Sequence, residues 1–244
     1  MLIQGDCIDV MHELIESGLK FDAIITDPPY GTTACKWDSI IPFDKLWGCL
    51  NNLIKPDCPI ILFGSEPFSS LLRCSNLKMY KYDWIWKKRK AGNFQLAKKV
   101  PLKVTENISV FGKGHVNYYP IKRELPESSI NRRKYKIEGD VKNLEHMSSR
   151  KYKFENNMGN GFGYPFNIIE IGQDAKSFHP TQKPLALMEY LIKTYTNEND
   201  TILDFTCGSG TTLVASRNLN RKCYGIELEE KYCEITKNRL ENLL

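Results

Sequence analysis

The sequence predicts an α/β fold in which a mostly parallel sheet is covered by helices on its faces. In the first 65 residues, short apolar runs typical of buried strands alternate with segments of helical spacing. After residue 184, a helix, a strand, a glycine-rich turn, a second helix and a second strand follow one another. Because parallel strands are joined by helical crossovers, this alternation is typical of a parallel sheet.

Each predicted element rests on a local pattern. Strands are predicted where apolar runs end at turn residues, and helices where apolar residues recur at helical spacing or a proline stands in the first turn. The strands are expected at 2–4, 21–26, 59–63, 80–88, 105–111, 201–205 and 222–227, and the helices at 8–15, 43–54, 184–195, 211–218 and 229–240.

Charge is distributed unevenly along the chain, whose net charge is +5. Residues 78–154 carry 20 Lys and Arg against 7 Asp and Glu, whereas the rest carries 14 against 22. Residues 113–163 are also rich in polar residues, which predicts an insert between the halves 1–112 and 164–244 of one domain. A basic insert on an acidic scaffold is typical of polyanion-binding proteins. The candidate contacts to nucleic acid are Lys87, Lys88, Arg89, Lys90, Arg132, Arg133 and Lys134.

A glycine turn in the last part of the chain predicts a cofactor site. Gly208 and Gly210 follow an apolar strand, and they allow a ligand to approach the backbone closely. Glu227 ends the next strand, where a carboxylate can accept hydrogen bonds from both hydroxyls of a ribose. A phosphate loop is excluded because no lysine follows the second glycine. A dinucleotide site is disfavoured because Leu213 replaces the third glycine, whereas S-adenosylmethionine needs no pyrophosphate cradle.

The segment Asp27, Pro28, Pro29 and Tyr30 directly follows an apolar strand, and such strand ends are where ligands bind in open α/β sheets. Two prolines stiffen the backbone and remove two donors. The Asp27 carboxylate and the Pro28 carbonyl can therefore accept both hydrogens of a weakly nucleophilic base amine. Tyr30 offers a flat face on which a base flipped out of a duplex can stack. The alternative is a rigid turn with a buried tyrosine, which the glycine turn and the basic insert disfavour.

The order of these features resembles that of the permuted β group of DNA amino-methyltransferases, in which Asp-Pro-Pro-Tyr precedes the insert and the cofactor turn comes last. The resemblance spans nearly the whole chain. It implies a circularly permuted, Rossmann-like methyltransferase fold with a seven-stranded, mostly parallel sheet and an antiparallel edge hairpin. It also implies S-adenosyl-L-methionine as the cofactor, an exocyclic amine of a base in duplex DNA as the target, and a target-recognition role for residues 113–163.

The resemblance extends to individual residues. Residues 5–7 are similar to the family segment beside the adenine edge of the cofactor, and residues 179–184 to the segment beside its methionine moiety. The strand that contains Trp86 resembles an aromatic wall of the target-base pocket. Phe205 departs from the Pro or Asn usual in the family, and we expect it to change packing near the cofactor. The implied cofactor contacts are Asp6, Cys7, Lys183, Pro184, Asp204, Phe205, Cys207, Gly208, Gly210, Thr211, Thr212 and Glu227.

The resemblance favours adenine N6 as the target, because Asp rather than Ser precedes Pro-Pro-Tyr. An N4-cytosine methyltransferase and a catalytically idle DNA-binding module are the alternatives. Tyr30 and Trp86 are expected in the target-base pocket, and Trp37 either over its mouth or in the core.

Composition adds expectations about partners and location. No apolar run is long enough to span a bilayer, and the scattered cysteines form no metal-ligand pair. We therefore expect a cytoplasmic protein without membrane or metal, and the resemblance implies an origin in a prokaryote or phage. Its expected partner is double-stranded DNA, and a restriction endonuclease is a further candidate. Both a monomer and a homodimer are compatible with the sequence.

Overall fold

A computed structural model of the chain describes residues 1–32, 38–129, 161–175 and 178–241. The chain divides into two units, one formed by Met1–Tyr119 with Asn167–Leu244 and the other by Pro120–Phe166. Four residues with predicted roles, Trp37, Arg132, Arg133 and Lys134, lie outside the described residues.

Ten strands and six α-helices are described. The strands are β1 (Leu2–Gln4), β2 (Ala23–Thr26), β3 (Ile60–Gly64), β4 (Tyr80–Lys87), β5 (Thr105–Phe111), β6 (Arg123–Glu124), β7 (Phe162–Gly163), β8 (Ile168–Glu170), β9 (Thr201–Asp204) and β10 (Lys222–Glu227). The helices are α1 (Cys7–Glu16), α2 (Phe43–Leu53), α3 (Phe68–Ser75), α4 (Leu185–Tyr195), α5 (Thr211–Asn218) and α6 (Glu230–Glu241). A 3₁₀ turn is formed by Phe94–Leu96.

The first unit contains one mixed sheet with the strand order β1-β10-β9-β2-β3-β5-β4-β8. Neighbours from β1 to β3 pair in parallel, and β5 is antiparallel to both β3 and β4. The sheet has eight strands rather than the expected seven, because the short β8 pairs in parallel with β4. The β4–β5 hairpin therefore does not form the edge. The strand β8 is three residues long, and only Ile169 of it is buried. This short segment has no extended apolar run, and the sequence analysis does not predict a strand there.

The two faces of the sheet support separate hydrophobic clusters. Alternate side chains of a strand point to opposite faces, and in β2 Ile24 packs in one cluster and Ile25 in the other. The same alternation separates Leu62 from Phe63 in β3. Helices α1, α2 and α3 cover the first cluster, and α4 and α5 cover the second. The central strands β2 and β3 are buried on both faces, as their uninterrupted apolar runs predict.

The parallel strands place three acids at one edge of the sheet. Asp27 follows β2, Asp204 ends β9 and Glu227 ends β10. Because β2, β9 and β10 run in parallel, their carboxyl ends meet at the same edge. This edge carries the candidate site.

Residues 113–119 belong to the first unit rather than to the predicted insert. Val116 is buried in the core, and the Asn117 and Tyr119 amides donate to the carbonyls of Asp57 and Thr194. This polar stretch is therefore a surface segment that the Val116 side chain and two backbone amides attach to the first unit.

In the second unit, β6 pairs with β7 in antiparallel fashion. The Arg123 guanidinium lies over the Phe166 ring, 3.8 Å from its centroid, and donates to the Tyr164 carbonyl. Among the residues that the structure describes, no helix is both long enough and apolar enough to cross a membrane.

Candidate active site

A cavity of about 610 Å³ lies at the edge of the sheet that carries the three acids. This volume lies within the range of small-molecule sites, roughly 300–1,000 Å³. The tetrapeptide 27–30 and the glycine turn both line it, as do Asp6 and Cys7. Of the described residues with predicted roles at the cofactor, only Pro184 and Gly210 are not part of its lining.

Both oxygens of the Asp27 carboxylate accept hydrogen bonds. Tyr30 donates its hydroxyl to Oδ1, and Lys183 donates its ammonium group to Oδ2. The Thr206 hydroxyl donates to the Asp27 carbonyl at 3.1 Å, which joins the tetrapeptide to the loop after β9. Burial raises the pKa of Asp27, Lys183 opposes that rise, and Glu106 adds to it. The carboxylate is therefore fixed in position and surrounded by groups that control its charge.

Lys183 lies between two carboxylates. Its side chain is 8% exposed, and its Nζ is 3.4 Å from Glu106 Oε2 in addition to its bond with Asp27. Burial lowers the pKa of Lys183, but Asp27 and Glu106 outweigh burial and raise it. Lys183 therefore keeps its positive charge. The resemblance places this lysine beside the cofactor, and the structure adds its contact with the tetrapeptide.

Glu106 is a member of the site that the sequence analysis does not identify. It follows the first residue of β5, its side chain is 12% exposed, and Lys88 donates to its Oε1. Its Oε2 is buried without a well-aligned hydrogen-bond donor among the described residues. Burial raises the pKa of Glu106, but Lys183 and Lys88 outweigh it and the pKa is lowered. In the sequence, Glu106 is a single acid in a strand of mixed polarity, as an exposed residue would be. No local pattern therefore predicts that its side chain belongs to the site.

Lys88 is predicted to contact nucleic acid, but the structure places it in the cavity wall. Its side chain is 17% exposed and paired with Glu106. By contrast, its neighbours Lys87, Arg89 and Lys90 are exposed. Lys87 forms an ion pair with Glu170 at 2.9 Å.

Asp38 holds the chain that leaves the tetrapeptide. Its carboxylate accepts from the amides of Tyr30, Gly31 and Thr32 at 2.8, 2.9 and 2.9 Å. The Tyr30 ring stacks on Phe68, with centroids 5.0 Å apart and an interplanar angle of 25°. Burial, followed by the charge of Asp27, raises the pKa of Tyr30 well above its usual range, so its hydroxyl remains a donor.

Asp204 braces the start of the glycine turn. It is 4% exposed and accepts from the hydroxyls of Thr26 and Thr212 and from the amide of Thr206. Burial raises its pKa to about 6, and the two threonine hydroxyls limit the rise. Asp204 thus joins β9 to β2 and α5. It also lines the cavity, although the protein already engages its carboxylate.

The two glycines of the turn have different surroundings. Both have positive φ, +54° at Gly208 and +74° at Gly210, which favours glycine. A Cβ on Gly210 would lie 2.4 Å from Thr236 Cγ2, so α6 packs directly against this position. A Cβ on Gly208 would meet only the His179 ring, at 3.7 Å, and Gly208 lines the cavity. Gly210 therefore serves packing, and Gly208 leaves the backbone open to a ligand.

Backbone donors orient two acids that line the cavity. Glu227 accepts from the amides of Gly208 and Glu229, both at 2.8 Å, and burial raises its pKa. Asp6 caps α1 through the amides of Ile8 and Asp9. Because each carboxylate oxygen has two lone pairs, both acids keep acceptor capacity for a ligand.

A buried Trp86 and a half-buried Cys7 also line the cavity. Trp86 is 1% exposed, and its indole Nε1 donates to the Ile171 carbonyl at 2.8 Å. Lys88 Nζ lies 5.1 Å from the centroid of its ring. The Cys7 thiol has its pKa raised to about 12, by burial and then by Asp6, so it is not ionised at neutral pH.

The chain matches the model of a DNA methylase family, N6_N4_Mtase, over residues 21–238. It is 28% identical to the type II methyltransferase M1.MboII of Moraxella bovis, over 94% of this chain and 92% of the relative. A solved structure of an M1.HpyAVI–SAM complex superposes with a TM-score of 0.68 at 26% identity, covering 98% of each chain. The cytosine-N4-specific PvuII DNA methyltransferase has a TM-score of 0.65 at 16% identity, covering 98% of this chain and 85% of the other, and shows the fold alone.

Proposed function

This chain belongs to the DNA methylase family of N6/N4 type, and on that premise we propose that it transfers a methyl group from S-adenosylmethionine to the N6 amine of adenine in duplex DNA. One observation carries the proposal. The acceptor-rich tetrapeptide at 27–30 and the glycine turn with Glu227 line one cavity. A bound cofactor and a flipped base can therefore meet in that cavity.

The cavity residues fit S-adenosylmethionine. Glu227 is oriented for a ribose, Gly208 exposes backbone without a Cβ, and Asp6 lies at the entry to α1 beside the same cavity. When bound, S-adenosylmethionine supplies an electrophilic methyl group on its sulfonium. We assign the remaining cavity-lining residues of the turn, 204–212, to positioning that group.

The tetrapeptide acts on the amine through acceptors. Asp27 and the Pro28 carbonyl accept the two N–H hydrogens, which directs the nitrogen lone pair toward the methyl group. Tyr30 and Lys183 hold the carboxylate in place, and Lys183 favours its ionised form. The ring of Tyr30, backed by Phe68, provides the stacking surface for the base.

The choice of adenine rests on the resemblance of Asp-Pro-Pro-Tyr to N6-adenine enzymes of the family. The competing function is N4-cytosine methylation, the specificity that the name of PvuII methyltransferase carries. We would express the protein in a host without methylation and map modified bases by single-molecule sequencing, with Asp27→Ala as the control. N6-methyladenine in one sequence context is expected. Detection of N4-methylcytosine would instead identify cytosine as the target. Detection of no modified base would indicate an idle DNA-binding module.

We assign DNA binding to the basic residues Lys87, Arg89 and Lys90 and to residues 120–163 of the predicted insert, which we propose recognise the target sequence. Contacts to phosphates release counterions, so affinity should fall with roughly one power of salt concentration per phosphate contacted. Titration of a labelled duplex at several salt concentrations measures this slope. A flat response would contradict phosphate binding by this region.

We also propose a role in restriction–modification, beside an endonuclease that reads the same sequence. The mapped site supplies the test, because methylation there should protect DNA from that endonuclease. Cleavage of fully methylated DNA would contradict the pairing.

A further inference from the structure

The β4–β5 loop, residues 88–104, lies at the same edge of the sheet as the candidate site. It contains six basic residues and no acidic residue. Lys88 and Gly92, at its start, line the cavity. The start of this loop is therefore part of the wall of the site, and Lys103 near its end donates to the hydroxyl of Ser65, which also lines the cavity.

Hydrogen bonds within the loop hold its conformation. The Asn93 side chain donates to the Pro101 carbonyl at 3.0 Å and accepts from the Lys103 amide at 2.6 Å. The Gly92 amide donates to the Lys103 carbonyl, and the Val100 amide to the Leu96 carbonyl. These bonds close the loop on itself on both sides of the 3₁₀ turn.

The tip of this fixed loop exposes apolar side chains. Phe94 is 69% exposed, Leu96 49%, Val100 45% and Leu102 50%. A single exposed apolar residue is ordinary, but several on one hydrogen-bonded loop indicate a contact surface. We therefore expect the partner of this surface to present apolar groups to it.

The cations around these side chains define the rest of the partner. Arg89, Lys90, Lys98 and Lys99 form no ion pair with any residue that the structure describes. Stacked bases between two rows of phosphates combine an apolar interior with a dense negative surface. Charge complementarity thus favours duplex DNA over an apolar protein surface or a second copy of this basic loop.

We propose that the β4–β5 loop enters the duplex beside the target base and that Phe94 stacks in the space that the flipped base leaves. Lys98 and Lys99 then contact the flanking phosphates. This inference rests on the proposed methylation of duplex DNA. It assigns to Phe94 the stabilisation of the flipped state, because an inserted apolar side chain replaces part of the lost stacking.

Single-turnover methyl transfer on two duplexes provides the test. In one duplex the target base is paired, and in the other it faces an abasic site, so that flipping costs less. Phe94→Ala should slow transfer on the paired duplex by about tenfold or more, and on the abasic duplex by less than about threefold. Phe94→Trp should retain the rate. Leu77→Ala removes an equally exposed side chain from the opposite edge of the sheet and serves as the control.

Each contrary outcome has a distinct meaning. Equal slowing of Phe94→Ala on both duplexes, or no slowing on either, would overturn the proposed insertion of Phe94 into the duplex. A change in sedimentation of this variant would also overturn it, because it would make the loop an interface between copies of the chain. Failure of the wild-type protein on both duplexes would instead refute the proposed function. Lys98→Ala with Lys99→Ala should weaken binding to both duplexes alike, and a loss confined to the paired duplex would overturn their assignment to phosphates.

Discussion

Lys183 and Asp27 form a partly buried ion pair between positions 156 residues apart in the chain. The pair joins the tetrapeptide to the segment that precedes α4, and Glu106 approaches the same lysine from β5. Lys183 lowers the pKa of Asp27, whereas burial and Glu106 raise it. Removal of either neighbour should therefore change the ionisation of Asp27, with opposite signs.

Asp27→Ala should abolish methyl transfer and largely preserve cofactor binding. The substitution removes an acceptor that is assigned to the target amine and not to the cofactor, and loss of one such group costs roughly 100-fold or more in rate. Tritiated-methyl transfer measures the rate, and calorimetric titration with S-adenosylmethionine measures the affinity. Near wild-type turnover would refute the assigned role of Asp27.

Lys183→Met should move the acid limb of the pH–rate profile to higher pH. Without the ammonium group the pKa of Asp27 rises, so the carboxylate becomes protonated at a higher pH and loses an acceptor. Lys183→Arg retains the charge and should restore part of the profile. Lys55→Met, which breaks the surface pair with Asp22, serves as the control. An unchanged acid limb in Lys183→Met would contradict the coupling.

Glu106→Gln should move the same limb to lower pH. Glu106 raises the pKa of Asp27, so neutralising it makes the carboxylate easier to ionise. The profile of kcat/KM against pH gives the sign directly. Glu170→Gln is the control, because it makes the same substitution in the exposed ion pair between Lys87 and Glu170. Shifts in the same direction for Glu106→Gln and Lys183→Met would show that the charges do not act through Asp27.

Glu227→Gln should weaken cofactor binding with little effect on folding. A hydrogen bond to a charged group contributes about 1.5–3 kcal/mol, so the Kd should rise roughly 10- to 100-fold. Calorimetry measures the change in the Kd for S-adenosylmethionine. The control is Glu229→Gln, the same substitution at an exposed position nearby. Unchanged affinity would exclude the ribose contact, whereas a fall in the melting temperature would assign the loss to the bonds with Gly208 and Glu229.

Asp204 should make the stability of the fold depend on pH. Its pKa is raised to about 6 in the folded protein, so the folded state holds this proton more tightly than the unfolded chain. Its contribution is fully present below the unfolded pKa and is lost as the pH rises through about 6. Relative to Asp204→Asn, the wild type should lose roughly 1–2 kcal/mol of unfolding free energy between pH 5 and pH 8. Urea titration measures this difference, and Asp44→Asn at an exposed position serves as the control.

Much of the parallel part of the sheet could be predicted because β2, β3 and β9 are mostly apolar and end at turn residues. The edge shared by Asp27, Asp204 and Glu227 also follows from sequence, since each acid comes at the end of a parallel strand. Helix α3 and strand β8 could not be predicted in the same way. The first is eight residues long, and the second is three residues long with one buried side chain.

The charged part of the site depends on contacts that no local pattern encodes. Glu106 and Asp38 are isolated acids in the sequence, and only the packing of β5 and of the chain after Tyr30 brings them to the cavity. Lys88 belongs to a run of four cations, but its place beside Glu106 separates it from the other three. Charge composition indicated a binding region, and tertiary structure decided which cations remain exposed.

Strand β1 hydrogen-bonds within the described sheet only to β10, which lies near the other end of the described chain. During synthesis on a ribosome, more than 200 residues must be added after β1 before its partner β10 is available. Contacts of such long sequence separation form late and slow folding. The tetrapeptide can thus fold against β3 while the cofactor half is still being translated. A nascent chain should remain unable to bind its cofactor, and hence to modify DNA, until β10 has been translated.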